Sequence, residues 1–304
     1  RHVSRRDFFS VFYEQLRDDP AVQDITKVEE SYVPLIKMKF HGISIDLTFA
    51  RLNVPAIRDS INLLNDAILR SIDEKCIVSL NGSRVTDAIL SLVPAPDAFH
   101  GALRAVKLWA KRRLIYGATY GYFGGVAFAI CVARVCQMYP SACSYDILRC
   151  FFEQLSTWKW PSPVMLCPVV DLNYHLKVWD PKVNPVDRYH KMPVITPAYP
   201  SMCSTHTVTQ STAAHITSEL VRGSEILKGD EFEQLFEPAD FTRKYKLFLE
   251  VSASAADASG FLAWSGFVES KLRTLTAKLE GAENIAAALI VPKCFRSPAA
   301  ADNP

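Results

Sequence analysis

Leu103-Arg-Ala-Val-Lys-Leu-Trp-Ala-Lys-Arg112, followed by Gly117-Ala-Thr-Tyr-Gly-Tyr-Phe-Gly-Gly125 and Val126, is the stretch on which the reading of this chain turns. Arg104, Lys107 and Lys111 are three and four residues apart, so about 100° per residue stacks them on one side of a helix. Leu103, Val106 and Ala110 fall on a different face, suited to packing inward. Residues 117–125 interrupt that helix, and a second, mostly apolar helix is predicted from Val126 to about Tyr139. A cationic stripe beside a glycine loop that opens a helix is a place to hold phosphates. It is equally what a solvated helix face looks like. The loop matches neither Gly-x-x-x-x-Gly-Lys-Ser/Thr nor Gly-x-Gly-x-x-Gly, so P-loop and dinucleotide-fold readings fail. Tyr116, Tyr120, Tyr122 and Phe123 can stack a base or belong to the core.

Length and composition bound the surroundings of this stretch. The chain has 304 residues, 49% hydrophobic and 22% charged, enough for two domains or three of ordinary globular type. No apolar run approaches the ~18 residues that span a bilayer, so a soluble protein without a membrane partner is expected. A net charge of +2 exerts no strong global pull on nucleic acid, so any polyanion site must be local. The eight cysteines never form Cys-x-x-Cys, and Cys131, Cys136, Cys143 and Cys150 read mostly as small buried thiols, as in a reducing compartment. The chain opens on Arg1, without a signal-peptide pattern, and reads as a piece of something longer.

Upstream, residues 5–17 have helical periodicity. Pro34-Leu-Ile-Lys-Met-Lys-Phe40 and Ile43-Ser-Ile-Asp-Leu-Thr-Phe49 alternate with period two around His41-Gly42, which predicts a β-hairpin. Ile43, Ile45, Leu47 and Phe49 face one way, Ser44, Asp46 and Thr48 the other, with Lys37 and Lys39 as neighbours. Asp46 is thus the one carboxylate placed like a catalytic group, and hard oxygen ligands on a rigid strand suit Mg2+. A lone carboxylate on an exposed strand face is also simply solvated, and no Asp-x-Asp pair occurs in the chain.

Helical patterns dominate residues 55–165: 57–69, 86–92, 99–115, 126–138 and 145–158. Asn81-Gly82-Ser83 reads as a turn, with Thr86 as an N-cap. Proline-rich stretches around Trp160, Pro181 and Pro197 suit a connector across a surface. Beyond residue 204, strand-like runs at 205–209, 246–252 and 285–291 alternate with helical ones at 211–222, 231–236 and after 252. In the last of these Phe261, Trp264, Val268, Leu272, Leu275 and Leu279 form a helical face. That order suggests a small α/β sandwich, and the tail from 297 to 304 is expected to be disordered. No aromatic RNP1-like motif, histidine metal spacing, Gly-x-Ser-x-Gly elbow or Cys/His signature is present.

Several strings together carry a more specific signal. They are Phe40-His-Gly-Ile-Ser-Ile-Asp-Leu-Thr-Phe-Ala-Arg51, Ser79-Leu-Asn-Gly-Ser-Arg-Val-Thr-Asp87, the Leu103–Arg112 string, Gly124-Gly-Val126, Trp179-Asp-Pro-Lys-Val-Asn-Pro185, Asp187-Arg-Tyr-His190 and Met192-Pro-Val-Ile-Thr-Pro-Ala-Tyr-Pro200. In this order the chain resembles the nuclear, eukaryotic-type poly(A) polymerases of the polymerase-β-like nucleotidyltransferases. The resemblance implies an α+β protein: part of a nucleotidyltransferase palm at 1–54, a helical middle domain with its connector at 55–200, and an RRM-like C-terminal α/β sandwich at 201–304. It implies template-independent addition of AMP from ATP to RNA 3′ ends with Mg2+ or Mn2+, in the nucleus, beside pre-mRNA 3′-processing factors. By the same resemblance Asp46 matches a metal-binding carboxylate. Lys107 and Tyr116 match contacts to the ATP phosphates, Gly125 and Val126 the loop against the nucleotide, and Asn81 and Thr196 positions near it. The family's Asp-x-Asp pair precedes the region matching Arg1, and Ala118 stands where family members carry an asparagine. Without that pair the segment alone is expected to be inactive. A non-catalytic RNA- or protein-binding module and a nucleotidyltransferase with another base preference remain alternatives.

Overall fold

The computed structural model describes residues 3–229 and 231–295, and the expected disordered tail lies outside them. The described parts of Arg1–Ser91, Val170–Lys177 and Pro197–Pro200 pack as one unit, and those of Leu92–Val169, Val178–Thr196 and Ser201–Pro304 as another. Among the described residues, helices and one small sheet make an α+β protein.

In the first unit the alternating runs pair as read. Strands β2 (Leu35–Phe40) and β3 (Ile43–Thr48) are antiparallel, with Ile36 opposite Leu47 and Lys37 opposite Asp46. His41 and Gly42 have φ of 48° and 79°, the two left-handed residues that a type I′ turn demands. Strand β1 (Val22–Val28) adds to the other edge of β2, and a register shift between Gln23 and Thr26 breaks its ladder. That bulge spoils the period-two signal, which is why the sequence pattern missed β1. Ile36 packs against Phe8 and Phe9, flanked by Leu16, Leu47 and Phe49. Both phenylalanines lie in a π-helical turn (Phe8–Phe12), which with α1 (Arg5–Asp7) before it and α2 (Tyr13–Arg17) after it fills residues 5–17.

Two local readings are corrected here. Glu74–Leu92 is one uninterrupted helix, α3, running straight through Asn81-Gly82-Ser83. Cys76, Ile77, Val78, Val85, Ala88 and Ile89 are buried along it, and that burial outweighs the ~1 kcal/mol a helical glycine costs. Thr86 does not cap a helix; its hydroxyl donates back to Gly82 O at 2.8 Å. Residues 57–69 do not form a helix either, apart from the 3-10 turn Asp66–Leu69. The cause is Arg84, 1% exposed, whose guanidinium binds Leu63 O, Asp66 Oδ1 at 2.5 Å and Tyr199 O at 3.1 Å. In a helix the Leu63 carbonyl would be taken by the amide four residues on.

The second unit is built on α4 (Pro96–Arg112), α5 (Gly125–Met138), α6 (Ser144–Ser156) and α7 (Gln210–Ile226). Trp109, fully buried, sets its ring edge-on to Phe128, Phe151 and Phe152 at 4.7–6.3 Å between centroids. Gly223 lets α7 meet α6 closely, since a Cβ there would lie 2.3 Å from the Phe152 ring. The proline-rich connector does more than cross a surface. Val164, Met192, Val194 and Ile195 are buried, and the Thr205 hydroxyl accepts from Val194 N at 3.0 Å while donating to Met192 O at 2.6 Å. Single backbone bridges, Val164 with Val194 and Ile195 with Cys203, supplement that hydroxyl, with Ile195 N donating to Val164 O at 3.0 Å. Of the four cysteines read as mostly buried thiols, Cys131, Cys136 and Cys150 are buried and Cys143 is exposed.

The strand readings at 205–209, 246–252 and 285–291 do not hold: the strands among the described residues are β1, β2 and β3. Alternation makes a strand only where a partner ladder exists, and in the extended run at 246–252 Leu247 is 92% exposed. Residues 232–236 form a 3-10 turn, followed by α8 (Phe241–Lys244) and α9 (Ala258–Glu280). The α9 face is divided: Leu272, Leu275 and Leu279 are half-buried beside the buried Thr276, while Phe261 and Trp264 are exposed. No helix among the described residues is long and apolar enough to cross a membrane.

Candidate functional site

The basic stripe of α4 and the start of α5 converge at one point. Past the end of α4, Ile115 is fully buried and its amide donates to Ala110 O at 2.9 Å, which anchors the chain as it leaves the helix. Tyr116 and Phe123 then pair as a single parallel bridge, with Gly117 N donating to Phe123 O at 2.9 Å and Tyr122 N to Gly117 O at 3.2 Å. The loop closes this way because Gly117 takes φ of 128°, a conformation that side chains disfavour. It delivers Gly124 as the N-cap of α5 with no side chain capping it.

At Gly125 the two polar side chains meet. A Cβ on this residue would lie 2.9 Å from Tyr116 Oη and 3.6 Å from Lys107 Cε and Nζ. The Tyr116 ring lies parallel to Phe128, with centroids 6.0 Å apart and 8° between planes. On that ring sits Lys111 Nζ, 5.2 Å from the centroid, a cation–π contact. Phe128 N bonds to Gly124 O, so the amides of residues 125–127 belong to the first helical turn, whose N–H groups have no intrahelical acceptor. An ammonium, a phenolic hydroxyl and a helix N-terminus therefore surround a space that no Cβ fills.

Electrostatics fit a negatively charged occupant. Burial, and then the charge of Lys111, hold the Lys107 ammonium's pKa below the usual lysine range. Burial pushes the Tyr116 hydroxyl up, so at neutral pH it is a donor. A bound polyanion would offset that cost for the Lys107 ammonium and accept a hydrogen bond from the neutral Tyr116 hydroxyl.

The remaining sequence-predicted residues are distributed as follows. Val126, second residue of α5, is 40% exposed. Thr196 is fixed by a two-way exchange with Met202: its amide donates to Met202 O and its Oγ1 accepts from Met202 N, each at 2.9 Å. Asp46 and Asn81 belong to the first unit. Asp46 is exposed on β3 opposite Lys37, and Thr48 Oγ1 at the end of that strand donates to Ser79 O of α3 at 3.3 Å. Asn81 Oδ1 is buried without a hydrogen-bond partner, an acceptor that a ligand's N–H or hydroxyl would satisfy. Among the described residues no group of three or more His, Cys, Asp or Glu is placed to hold a metal ion. One carboxylate facing a lysine does not make a divalent-cation site.

Sequence reasoning left the aromatics of the loop open, and the structure assigns them. Tyr122 and Phe123 are each 1% exposed and belong to the core. Tyr120 donates its hydroxyl to Glu269 of α9. Missed outright was the support behind the loop. Arg113 binds the buried Glu219 at 2.8 and 3.1 Å, and the Tyr122 hydroxyl lies 3.2 Å from His215 Nδ1. No local spacing links these residues, since the pairs join positions about a hundred apart in sequence.

Comparison with known proteins gives consistent matches along the chain. Family models described as the poly(A) polymerase nucleotidyltransferase domain, central domain and predicted RNA binding domain match residues 1–93, 98–238 and 240–303. Poly(A) polymerase PAPalpha of Candida albicans is 49% identical over 291 residues, covering 94% of this chain and 52% of that protein. Poly(A) polymerase pla1 of Schizosaccharomyces pombe is 47% identical over 293 residues, covering 95% and 52%. The chain thus spans about half the length of the curated relatives it matches.

Proposed function

The chain belongs to the poly(A) polymerase family, and on that premise we propose that this protein adds AMP from ATP to RNA 3′ ends without a template. One observation carries the assignment of the site: the space at Gly125, bounded by Tyr116 Oη and Lys107 Nζ, that only a residue without Cβ leaves open. A triphosphate there would meet the Lys107 ammonium, the Tyr116 hydroxyl and the first amides of α5, including that of Val126. In the reaction an RNA 3′-hydroxyl attacks the α-phosphorus of ATP, the bond to the bridging oxygen breaks, and pyrophosphate leaves. Lys107 and Tyr116 act on the leaving side, where charge grows as that bond lengthens, and fixed donors there favour departure over the ground state. Asn81 and Thr196 are assigned to the nucleotide's surroundings on the family resemblance alone.

Family membership implies a divalent ion, Mg2+ or Mn2+. The described residues offer it one carboxylate, Asp46, and no cluster, so Asp46 is one of several ligands such an ion needs. Nuclear location and contact with pre-mRNA 3′-processing factors belong to the same proposal and are supported by family membership alone. The test is incorporation of labelled ATP onto an oligo(A) primer by the intact protein. Lys107→Ala is expected to raise the KM for ATP far more than it lowers thermal stability; an unchanged KM in a folded variant overturns the role.

A further inference from the structure

The loop that brings Tyr116 to Gly125 is held from outside by α9. Tyr120 stands at its tip, with its amide donating to Gly117 O at 3.1 Å. The Tyr120 ring lies against Gly117, where a Cβ would come 2.8 Å from its Cδ2. Gly117 directly follows Tyr116, so the resting place of that ring fixes the peptide from which Tyr116 projects. Tyr120 itself is only half-buried, and its hydroxyl donates to Glu269 Oε1 of α9. Burial, and then Glu269, push the pKa of that hydroxyl up, so at neutral pH it is a donor. Among the described residues it is the one side-chain partner of the Glu269 carboxylate, and no cation competes for it.

The position of α9 is fixed in turn. Val268, Leu272, Leu275 and Leu279 are half-buried around the buried Thr276. About three turns beyond Glu269, Glu280 Oε1 accepts from Thr209 Oγ1 at 2.7 Å and from Ser211 N at 3.0 Å. These groups open α7, where unpaired amides favour a carboxylate. Ser211 Oγ then accepts from Ala288 N at 3.1 Å. The same helix start supports the far side of the loop, since a Cβ on Gly121 would lie 3.3 Å from Thr207 O and 3.4 Å from Thr212 Cγ2. Through Glu269, then, α9 grips the loop directly, and through Glu280 it holds the helix start on which the loop leans.

We infer that Glu269 is a positioning residue of the nucleotide site: through the Tyr120 hydroxyl it sets the ring against Gly117 and so keeps the Tyr116 hydroxyl facing Gly125. The inference rests on the reading that the space at Gly125 takes a triphosphate. Glu269 and Tyr120 act through Tyr116 and not on the nucleotide itself.

The test is calorimetric titration of the intact protein with ATP, in wild-type and Tyr116→Phe backgrounds, beside thermal melts. Glu269→Ala should weaken ATP binding about three- to tenfold, less than loss of the Tyr116 hydroxyl, because a displaced donor is only partly lost. Tyr120→Phe, which keeps the ring, should give the same loss, and serves should Glu269→Ala fold poorly. Glu269→Gln retains an acceptor and should restore most of the affinity. In the Tyr116→Phe background Glu269→Ala should change ATP binding by less than about twofold, since the group it positions is gone. A role in stability alone would give the same loss in both backgrounds, and that result overturns the inference. Hydrogen exchange without ATP reads the loop independently. The amides of Gly117 and Tyr122, bonded to Phe123 O and Gly117 O, should exchange about two- to tenfold faster in Glu269→Ala. Unchanged exchange there in the folded variant also overturns it. Should wild type and Tyr116→Phe bind ATP equally while loop exchange still responds to Glu269→Ala, the triphosphate assignment falls and the hold of Glu269 on the loop stands.

Discussion

In Gly125→Ala the new Cβ lies 2.9 Å from Tyr116 Oη and 3.6 Å from Lys107 Cε and Nζ. The first contact is too short, so the hydroxyl must withdraw by a few tenths of an ångström, and it has little freedom to do so. Its ring is parallel to Phe128 on one side and under Lys111. The backbone, by contrast, gains. Residue 125 opens α5 without a left-handed φ, and replacing glycine there by alanine stabilises by about 0.4–1 kcal/mol through the unfolded state. An off-minimum tyrosine costs about 0.5–1.5 kcal/mol. The two nearly cancel, so the melting temperature should move by no more than about 5 °C. The nucleotide site does not break even. A hydrogen bond to a charged group contributes about 1.5–3 kcal/mol, so ATP affinity should fall about 10- to 100-fold as the methyl fills the cradle and displaces the donor. The assay is calorimetric titration with ATP beside a thermal melt, on Gly125→Ala, Tyr116→Phe and the double variant. Both single changes act through one hydroxyl, so their effects should be strongly non-additive. Wild-type ATP affinity in a folded Gly125→Ala, or full additivity in the double variant, would refute the reasoning.

Three further outcomes follow from the packing. Burial and Lys111 lower the proton affinity of Lys107, so ATP affinity should be complete below its depressed pKa and decline as pH rises through it, starting below 10.5; Lys107→Arg should move that decline upward, measured as KM against pH. Gly223→Ala drives a Cβ to 2.3–2.4 Å from the Phe152 ring and should cost about 2–3 kcal/mol in urea melts; a variant as stable as wild type would show that α6 and α7 can part freely. His215 is held neutral down to about 4 by burial and then by Lys244. The unfolded chain takes up that proton near 6.5, so stability should be lost as pH falls from about 6.5 to about 4, by up to about 3 kcal/mol, and His215→Gln should flatten that part of the pH–stability curve.

How far the sequence could be read depended on how local each determinant was. The β2–β3 hairpin announces itself because strand alternation and a two-residue left-handed turn lie within fifteen residues. The α4 stripe does so because helical spacing is fixed at three and four. Local signals failed where a distant group overrode them. Asn81-Gly82-Ser83 has the chemistry of a turn, yet the buried residues on either side carry α3 through it. Residues 57–69 have a helical pattern, yet the carbonyl at Leu63 is taken by Arg84. The runs at 246–252 and 285–291 alternate like strands and find no ladder among the described residues.

The residues proposed for the site could be picked out together because Lys107, Tyr116 and Gly125 fall within nineteen residues of one another in sequence. What the string could not say was which of its glycines serves the backbone and which serves a ligand. Gly117 and Gly121, with φ of 128° and 82°, are glycines for the sake of the chain path, and replacing them should damage the loop before it touches nucleotide binding. Gly124 caps α5 at φ of −85°, where a Cβ would meet only ordinary contact with Ala118 at 3.5 Å. Gly125 needs no unusual φ and sits in a helix that would prefer alanine. Its lack of a side chain matters only to Tyr116, Lys107 and whatever lies between them. A residue the fold would gladly exchange, at the point where an ammonium and a hydroxyl converge, is accounted for, on the proposed function, by the space it leaves for a triphosphate.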